Sequence, residues 1–345
     1  MQTGTAGRAL AAGRAAGLLF GAGAVVAGLA AVIAAWWMLP VNTGPLAAPL
    51  IVEVPPGASA SAVGKILQER GLIRSSFLFG VMARLEGLEG RLQAGYYRLR
   101  PDMHLQDVLH ILSRGSVAVE RVTIPEGATI RYVAALLERK GLADARRFID
   151  LASDDRWLFA GERTLPKPPG SLEGYLFPDT YRVEVGQSEE SIIRRMVARF
   201  AEKALTVYER LQEGSGLTLH EAVTLASIIE KEAMRDGERP LISSVFHNRL
   251  RLGRPLQADP TLKYILDPAP RRLYQKHLSI DSPYNTYRYP GLPPTPIASP
   301  GLASLEAALR PADTPYLYFV ARGDGTHIFS RTFQEHVSAR RRVAF

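Results

Sequence analysis

The sequence predicts an α+β protein built from a single N-terminal transmembrane helix, a small β-α-α-β module and a larger domain of mixed α+β structure. Three observations support this fold class: a long apolar run at residues 15–39, a stretch of sequence that occurs twice after it, and a mixture of helix and strand patterns in the rest of the chain. The predicted boundaries are 1–14 for the N-terminal tail, 15–39 for the transmembrane helix, 40–118 for the module and 119–345 for the larger domain.

The apolar run at residues 15–39 carries no charged side chain and ends in two tryptophans. About 20 apolar residues suffice to cross a bilayer, so the run is long enough. Arg8 and Arg14 precede it, and the first charge after it is Glu53. The positive-inside rule then places the N-terminus in the cytoplasm and the bulk of the chain on the other side of the membrane. A cleaved signal peptide is the alternative, but its apolar core is usually shorter, about 7–15 residues.

The repeat aligns residues 52–72 with residues 122–142 without gaps. Each copy reads as a strand, a Pro/Gly turn and a helix that begins after a Ser or Thr N-cap and stops at a glycine. A second helix and a second strand follow in both copies, so the repeated unit is β-α-α-β. The second copy, within residues 119–200, is longer by 14 residues near residues 165–178. This insertion suggests that the second copy was modified to build part of a site.

The composition excludes several classes of protein. The net charge is +8, but basic residues are interspersed with acidic ones, so no nucleic-acid partner is expected. Without cysteine the chain can have no disulfide, Cys-ligated metal or thiol nucleophile. The seven histidines form no H-x-x-x-H pair, and neither G-x-S-x-G nor a phosphate-binding glycine loop occurs. We therefore expect neither a metal nor a cofactor, and carboxylate chemistry becomes the leading possibility.

A helix is predicted within residues 217–235, because Thr218 and Glu221 form a capping box ahead of an apolar pattern. On a helical wheel Glu230 falls in the middle of the apolar face, whereas Glu232 falls on the polar side. Burying an ionised carboxylate is costly, and one solution is a carboxyl that stays protonated near neutral pH, as a general acid must. The alternative is a buried glutamate that pairs with an arginine. We expect Glu232, by contrast, to be an ordinary solvated carboxylate.

Three further segments are candidates for a site, and the first of them interleaves carboxylates with aromatic rings, which suits sugar binding. They are residues 171–181, residues 256–261 and the proline-rich residues 282–301. Each has a simpler interpretation as a loop stiffened by proline. A β-hairpin is predicted after them at residues 316–330, where Asp324-Gly325 supplies the turn.

Several motifs occur in order along the chain: L-E-G-Y-L-F-P-D-T-Y, A-S-I-I-E-K-E-A, S-S-V-F-H-N-R-L, L-Q-A-D-P-T, Y-N-T-Y, G-L-P-P-T-P-I-A-S-P-G and P-Y-L-Y-F-V-A. Together with the N-terminal anchor they resemble the YceG-like (MltG) family of endolytic murein transglycosylases, over about residues 15–337. The resemblance implies a LysM-like module at residues 40–118 and a catalytic domain at residues 119–345, both outside the cytoplasmic membrane.

The resemblance also implies a mechanism. The catalytic residue is expected to be the first glutamate of A-S-I-I-E-K-E-A, Glu230. It would protonate the bond between N-acetylmuramic acid and N-acetylglucosamine and then take the proton from the muramic 6-hydroxyl, giving a 1,6-anhydro end. The substrate-binding residues implied by the matching motifs are Glu173, Tyr175, Gln257, Asp259, Tyr284, Asn285 and Tyr287.

The partners implied are peptidoglycan glycan strands, peptidoglycan synthases such as penicillin-binding proteins, and the membrane through residues 15–39. In such a role the enzyme would end the polymerisation of nascent strands. Two alternatives stay open at this point. The chain could be a non-catalytic wall-binding adaptor that recruits synthases, or a hydrolase that uses water.

Overall fold

The computed structural model describes residues 28, 32–33, 35–41, 48–154, 156, 158, 170–266 and 268–343. Its described part is a mixed α+β fold, as the sequence predicts, with strands paired as β1–β2, β3–β4 and β5–β6 in two-stranded sheets. The chain divides into two compact units, Met1–Val119 with Glu184–Gly186, and Glu120–Val183 with Gln187–Phe345.

The elements follow the order β1 (Leu50–Val54), α1 (Ala60–Glu69), α2 (Ser76–Leu85), β2 (Gly95–Leu99), α3 (Leu105–Ser113), β3 (Val119–Thr123), α4 (Ile130–Arg139), α5 (Ala145–Ala152), β4 (Thr180–Glu184), α6 (Glu189–Phe200), α7 (Thr206–Leu211), α8 (Leu219–Glu232), α9 (Arg239–Arg251), α10 (Asp259–Ile265), α11 (Gln275–Leu278), α12 (Leu302–Leu309), β5 (Tyr318–Ala321), β6 (His327–Ser330) and α13 (Phe333–Val343). A π-helical turn, Ala201–Leu205, joins α6 to α7, and a 3₁₀ turn, Asp236–Glu238, precedes α9.

The first unit contains the predicted β-α-α-β order in β1, α1, α2 and β2, with α3 after it. Strands β1 and β2 pair antiparallel. Ser59 caps α1 by accepting a hydrogen bond from the backbone of Ala62, and Gly71 follows the helix at φ +67°, a conformation that favours glycine. The core of this unit is apolar and is formed by β1, β2 and the inner faces of the three helices.

The second copy of the repeat forms β3, α4, α5 and β4. All of it except the end residues Val119 and Glu184 belongs to the second unit. Thr129 caps α4 as Ser59 caps α1, by accepting a hydrogen bond from the backbone of Tyr132. The predicted insertion falls between α5 and β4. Its described part, residues 170–178, is largely buried, so it belongs to the packed interior of the unit.

Helix α8 lies at the centre of the second unit and packs against α9, α10 and α12. The predicted capping box is confirmed, because Thr218 and Glu221 exchange side-chain to backbone hydrogen bonds. The residues between Leu219 and Ile229 are buried on nearly every side, as in a helix enclosed by others. The helix ends at Glu232, since Ala233 is extended. Glu230 and Glu232 therefore both lie in its last turn.

The C-terminal hairpin is confirmed, with β5 and β6 antiparallel in the register Tyr318↔Ser330 to Ala321↔His327. Helix α13 follows it and packs against both strands. This helix was not among the predicted elements. Its first turn begins at Thr332, which accepts a hydrogen bond from the backbone of Glu335, a cap that could have been read from the sequence.

The predicted transmembrane helix at residues 15–39 lies mostly outside the described residues. Among the residues that are described, no helix has both the length and the apolar character needed to cross a membrane.

Candidate active site

A cavity of about 480 Å³ opens at the C-terminal end of α8. Its wall combines side chains from α8, α9, α10, the loop before residue 288, the β5–β6 hairpin and α13. Glu232 lines it from α8, and the predicted residues Gln257, Asp259 and Tyr287 line it from the facing segments. The structure thus brings three of the predicted substrate-binding residues together around the second glutamate of the E-K-E motif.

Glu232 is half-buried at this cavity. Burial, followed by the negative charge of Asp259, raises the pKa of its carboxyl to about 8, while Lys263 acts in the opposite direction. Within the described part of the chain, no group forms a hydrogen bond or salt bridge with it. The expectation that Glu232 is an ordinary solvated carboxylate is therefore wrong. Helix α8 is covered on its nominally polar side by α10, which carries both Asp259 and Lys263.

The part of the wall formed by Gln257, Asp259 and Tyr287 is held in place by hydrogen bonds. Tyr287 donates its hydroxyl hydrogen to Asp259 Oδ1. Gln257 has φ +53°, and its backbone donates to the carbonyl of Thr286 at 2.8 Å. Its side-chain oxygen accepts a hydrogen bond from Arg249 Nη1 at 2.9 Å. These contacts explain the L-Q-A-D-P-T motif: it fixes one amide and one carboxylate at the cavity through an unusual backbone conformation.

Glu230 lies in a different environment, although it is only two residues away. Its side chain is 7% exposed, and Oε1 pairs with Arg239 Nη2 at 3.1 Å. The other oxygen accepts hydrogen bonds from the backbone of Gly301 at 3.1 Å and from Ser304 Oγ at 2.7 Å. Gly301 and Ser304 are the N-cap and third residue of α12. Glu230 therefore caps α12 and joins it to α8 and α9, and it does not line the cavity.

The charge on Glu230 also affects a neighbouring carboxyl. Burial, and then the negative charge of Glu230, raises the pKa of Glu126. Arg239 holds this region together, since its Nε donates to Ser304 Oγ at 2.9 Å and its Nη1 pairs with Asp236. The arginine-paired glutamate that the helical wheel left as an alternative is thus the arrangement found at Glu230.

Glu173 is buried beneath the first turn of α4. Its carboxyl accepts hydrogen bonds from the backbone of Ile130 at 3.1 Å and from the hydroxyl of Tyr264 at 3.2 Å. Burial raises its pKa to about 7, against the effect of these hydrogen bonds. It does not line the cavity around Glu232, and its contacts tie α4 to α10.

The buried carboxyl of Glu173 should make the protein less stable as pH rises. Its pKa is about 7 in the folded protein against a reference of 4.5, so the unfolded chain loses the proton first. The stabilisation is complete below the reference pKa and is lost as pH rises through the folded pKa, by about 3 kcal/mol. Urea denaturation at several pH values between 4.5 and about 7 measures this effect. As pH rises, the free energy of unfolding of wild type should fall relative to that of Glu173→Gln. A difference between the two proteins that does not change with pH would contradict this.

The remaining predicted residues support the surrounding structure and do not line this cavity; Tyr175 and Asn285 are buried, and Tyr284 is half-buried. The hydroxyl of Tyr175 contacts His220 Nδ1 at 2.9 Å in the core. Asn285 donates to the carbonyls of Leu278 and Ile280 at 3.0 and 2.7 Å. Tyr284 bonds to Thr295 Oγ1 at 2.7 Å. Tyr284 and Asn285 thus hold the loop that carries Tyr287, whereas Tyr175 belongs to the core.

The cavity is also lined by residues outside the predicted motifs. His327 from β6 is held by Glu238, whose Oε2 lies 2.7 Å from His327 Nδ1. His336 and Arg340 from α13 and Tyr318 from β5 complete the wall. Metal-binding spacing could not identify the two cavity histidines, because they lie on different elements. Their position next to the predicted hairpin was the signal that could have identified them.

Comparison with known proteins identifies relatives of this chain. Residues 52–342 match the sequence profile of the YceG-like family. The chain is 35% identical over 303 residues to a protein named endolytic murein transglycosylase from Bacillus subtilis (strain 168), covering 84% of this chain and 83% of that protein.

A protein of the same name from Streptococcus pneumoniae (strain ATCC BAA-255 / R6) is 31% identical over 297 residues, which are 78% of this chain and 54% of that one. This chain thus spans about half the length of the pneumococcal relative. A solved structure of a yceG-like protein from Listeria monocytogenes aligns with a TM-score of 0.57 at 32% identity, covering 85% of this chain and 99% of that one. The chain belongs to the YceG-like family.

Proposed function

We propose that this protein is an endolytic murein transglycosylase, a lyase that cuts peptidoglycan strands, and that Glu232 is its general acid and base. The observation that carries this proposal is the Glu232 carboxyl in the cavity, which has no hydrogen-bond or ion-pair partner among the described residues and whose pKa is raised to about 8. A carboxyl of this kind is still protonated at neutral pH and can donate its proton, which is what a general acid requires. The names of the curated relatives supply the substrate and the reaction class.

In the first step, Glu232 donates its proton to the glycosidic oxygen between N-acetylmuramic acid and N-acetylglucosamine. The bond from that oxygen to the muramic C1 breaks, and the N-acetylglucosamine end leaves with the proton. In the second step, the Glu232 carboxylate takes the proton of the muramic 6-hydroxyl as its oxygen bonds to C1. The 1,6-anhydro end forms, Glu232 is protonated again, and no water is consumed. One carboxyl performs both tasks, unlike the pair used by most glycosidases.

The geometry favours Glu232 over Glu230 for this role. Both oxygens of Glu230 are occupied by Arg239, Gly301 and Ser304. A proton donor must be within hydrogen-bond reach of the substrate, and Glu230 does not line the cavity. We therefore assign acid–base chemistry to Glu232 and a supporting role to Glu230.

The proposal is tested by the products released from purified sacculi. The enzyme should release fragments with 1,6-anhydro ends, identified by mass spectrometry, and Glu232→Gln should release almost none. The alternative of a non-catalytic adaptor predicts that wild type and Glu232→Gln sediment equally with sacculi and that neither releases anything.

The pH dependence of kcat/KM should report the Glu232 carboxyl. Because the protonated form starts the reaction, kcat/KM should fall as pH rises through about 8. The charge of Asp259 raises the pKa of Glu232 and that of Lys263 lowers it. Asp259→Asn should therefore move the alkaline fall of kcat/KM, the basic limb of the pH profile, to lower pH. Lys263→Gln should move this limb to higher pH.

The two variants serve as controls for each other, because each removes one charge near the same carboxyl. Asp259→Asn also loses its contact with Tyr287 and should be slower overall, so the position of the limb is the readout. Shifts in the same direction, or no shift in either variant, would show that the limb does not belong to Glu232.

In the same proposal, residues 15–39 anchor the enzyme in the cytoplasmic membrane with the N-terminus in the cytoplasm and both units outside. Support comes from the charge-free apolar run with arginines only on its N-terminal side. A reporter that is active only in the cytoplasm, fused to the C-terminus, should be inactive. Activity there would overturn this topology.

The first unit is assigned as a LysM-like module that binds glycan strands, since it has the β-α-α-β order. Access to nascent strands would let the enzyme end polymerisation beside a peptidoglycan synthase such as a penicillin-binding protein. In cells lacking the enzyme, mean strand length should increase and anhydro ends should decrease. If mean strand length did not change, the proposed role in ending polymerisation would be wrong, although the proposed cleavage activity could still hold.

A further inference from the structure

The side of the cavity formed by β5 and α13 carries an aromatic surface. Tyr318 lies 5.3 Å from His336 between ring centroids, at an interplanar angle of 27°, and 6.0 Å from Phe333. All three side chains line the cavity that contains Glu232. Phe333 is 62% exposed despite this position. The Tyr318 ring is engaged by His336 and by the guanidinium of Arg249, which lies over it at 4.9 Å from the ring centroid, so Phe333 is the ring of this surface with an exposed face. An exposed aromatic face inside a cleft is suited to stacking against the apolar face of a sugar ring.

A cation lies beside this surface. Arg340 follows His336 by four residues on α13, so the two side chains lie on the same face of the helix. Arg340 lines the cavity, is exposed, and forms no salt bridge or hydrogen bond with other residues in the described part of the chain.

Arg249, on the same wall, has a different role. Its guanidinium donates to the carbonyls of Leu317, Pro255 and Leu256 and to the Gln257 side chain. Its hydrogen-bonding capacity is used to hold the wall in place. Of these two arginines, Arg340 is the one that lines the cavity without a hydrogen-bond or salt-bridge partner among the described residues.

His336 adds a second polar group whose hydrogen bonding is incomplete. Its Nδ1 is buried and has no hydrogen-bond partner among the described residues. Burial, and then the charges of Arg340 and Arg249, lower the pKa of its imidazole. At neutral pH the ring is therefore uncharged, and Arg340 supplies the positive charge at this end of the cavity.

We propose that β5 and α13 form a subsite for a muramoyl residue that carries its peptide, in which Phe333, supported by Tyr318, stacks against the sugar ring and Arg340 binds a carboxylate of the peptide. This inference rests on the proposed function, because it assumes that a glycan strand occupies the cavity. Peptidoglycan strands combine the two chemistries that the subsite offers, since alternate sugars carry a peptide with free carboxylates. A guanidinium matches a carboxylate with two parallel hydrogen bonds.

The subsite predicts a preference between two substrates that differ only in the peptide. Glycan strands with intact peptides and the same strands stripped by an amidase are compared as substrates. Wild type should have the higher kcat/KM on the peptide-bearing strands. A hydrogen bond to a charged group contributes about 1.5–3 kcal/mol, so Arg340→Gln should reduce this preference by roughly 10- to 100-fold. The matched control is Arg341→Gln, which removes an adjacent arginine of α13 that does not line the cavity, and it should keep the wild-type preference.

A binding measurement separates failure of the subsite from failure of the proposed function. Protein carrying Glu232→Gln is titrated with both kinds of strand, with and without the additional change Arg340→Gln. Tighter binding of peptide-bearing strands that disappears with Arg340→Gln supports the subsite, even if wild type proves to release no anhydro ends. Equal binding of the two strands, or a preference that survives Arg340→Gln, would overturn it.

Discussion

Glu232→Gln should lower the release of 1,6-anhydro ends from sacculi by about 10²- to 10⁴-fold, the contribution that general acid–base catalysis typically makes. Glutamine has nearly the same size and can accept hydrogen bonds, but it can neither give nor take the proton. The wild-type carboxyl has no protein partner among the described residues and a pKa of about 8. Its replacement should therefore leave the fold intact, as circular dichroism and the thermal unfolding midpoint would show.

The matched control is Glu230→Gln, two positions earlier on the same helix. This change keeps an acceptor for Gly301 and Ser304 but removes the charge that pairs with Arg239. Its turnover per folded molecule should fall far less than that of Glu232→Gln. Loss of anhydro product in Glu230→Gln with near-normal product in Glu232→Gln would show that the first glutamate of the motif is the acid.

Glu230→Ala should reduce the free energy of unfolding by about 3–5 kcal/mol, which is typical when one member of a buried ion pair is removed. The reason is that Arg239, whose side chain is 8% exposed, would keep a buried charge without its main partner. The N-terminus of α12 would also lose the acceptor for Gly301 and Ser304. Urea denaturation of both proteins at neutral pH measures the difference.

Glu306→Ala provides the comparison on the same helix α12. Glu306 pairs with Arg210 at 2.8 Å, but the two side chains are 49% and 63% exposed. An exposed pair contributes only about 0–1 kcal/mol. If both variants lost the same small amount of unfolding free energy, the contacts of Glu230 with Arg239, Gly301 and Ser304 would not stabilise the protein in the way proposed.

Much of the fold could be predicted because its signals are local. The repeat at residues 52–72 and 122–142 predicted two β-α-α-β units, and Ser59, Thr129 and the Thr218–Glu221 capping box predicted where helices begin. Each of these depends on contacts within a few residues, and the structure contains all of them.

The assignment of the two glutamates could not be predicted in the same way. A helical wheel assumes one apolar face and one solvated face, whereas α8 is covered on nearly all sides. What distinguishes Glu230 from Glu232 is the set of residues that surrounds each one. Gly301 and Ser304 are about 70 positions away in sequence from Glu230, and no periodicity reports contacts at that separation.

The same limitation applies to the loops. Gln257, Asp259 and Tyr287 reach the cavity, while Glu173 and Asn285 from equally polar motifs turn inward to satisfy backbone groups. Composition alone cannot separate a side chain that binds a ligand from one that supports a loop, because both kinds need the same polar atoms.

The most direct test of the account is the digestion of purified sacculi in water enriched in heavy oxygen, followed by mass spectrometry of the new muramic ends. Cleavage in which the Glu232 carboxylate activates the muramic 6-hydroxyl should give 1,6-anhydro ends without heavy oxygen, because water takes no part. Reducing ends that carry one heavy oxygen atom would show that the enzyme is a hydrolase and would contradict the mechanism assigned to Glu232.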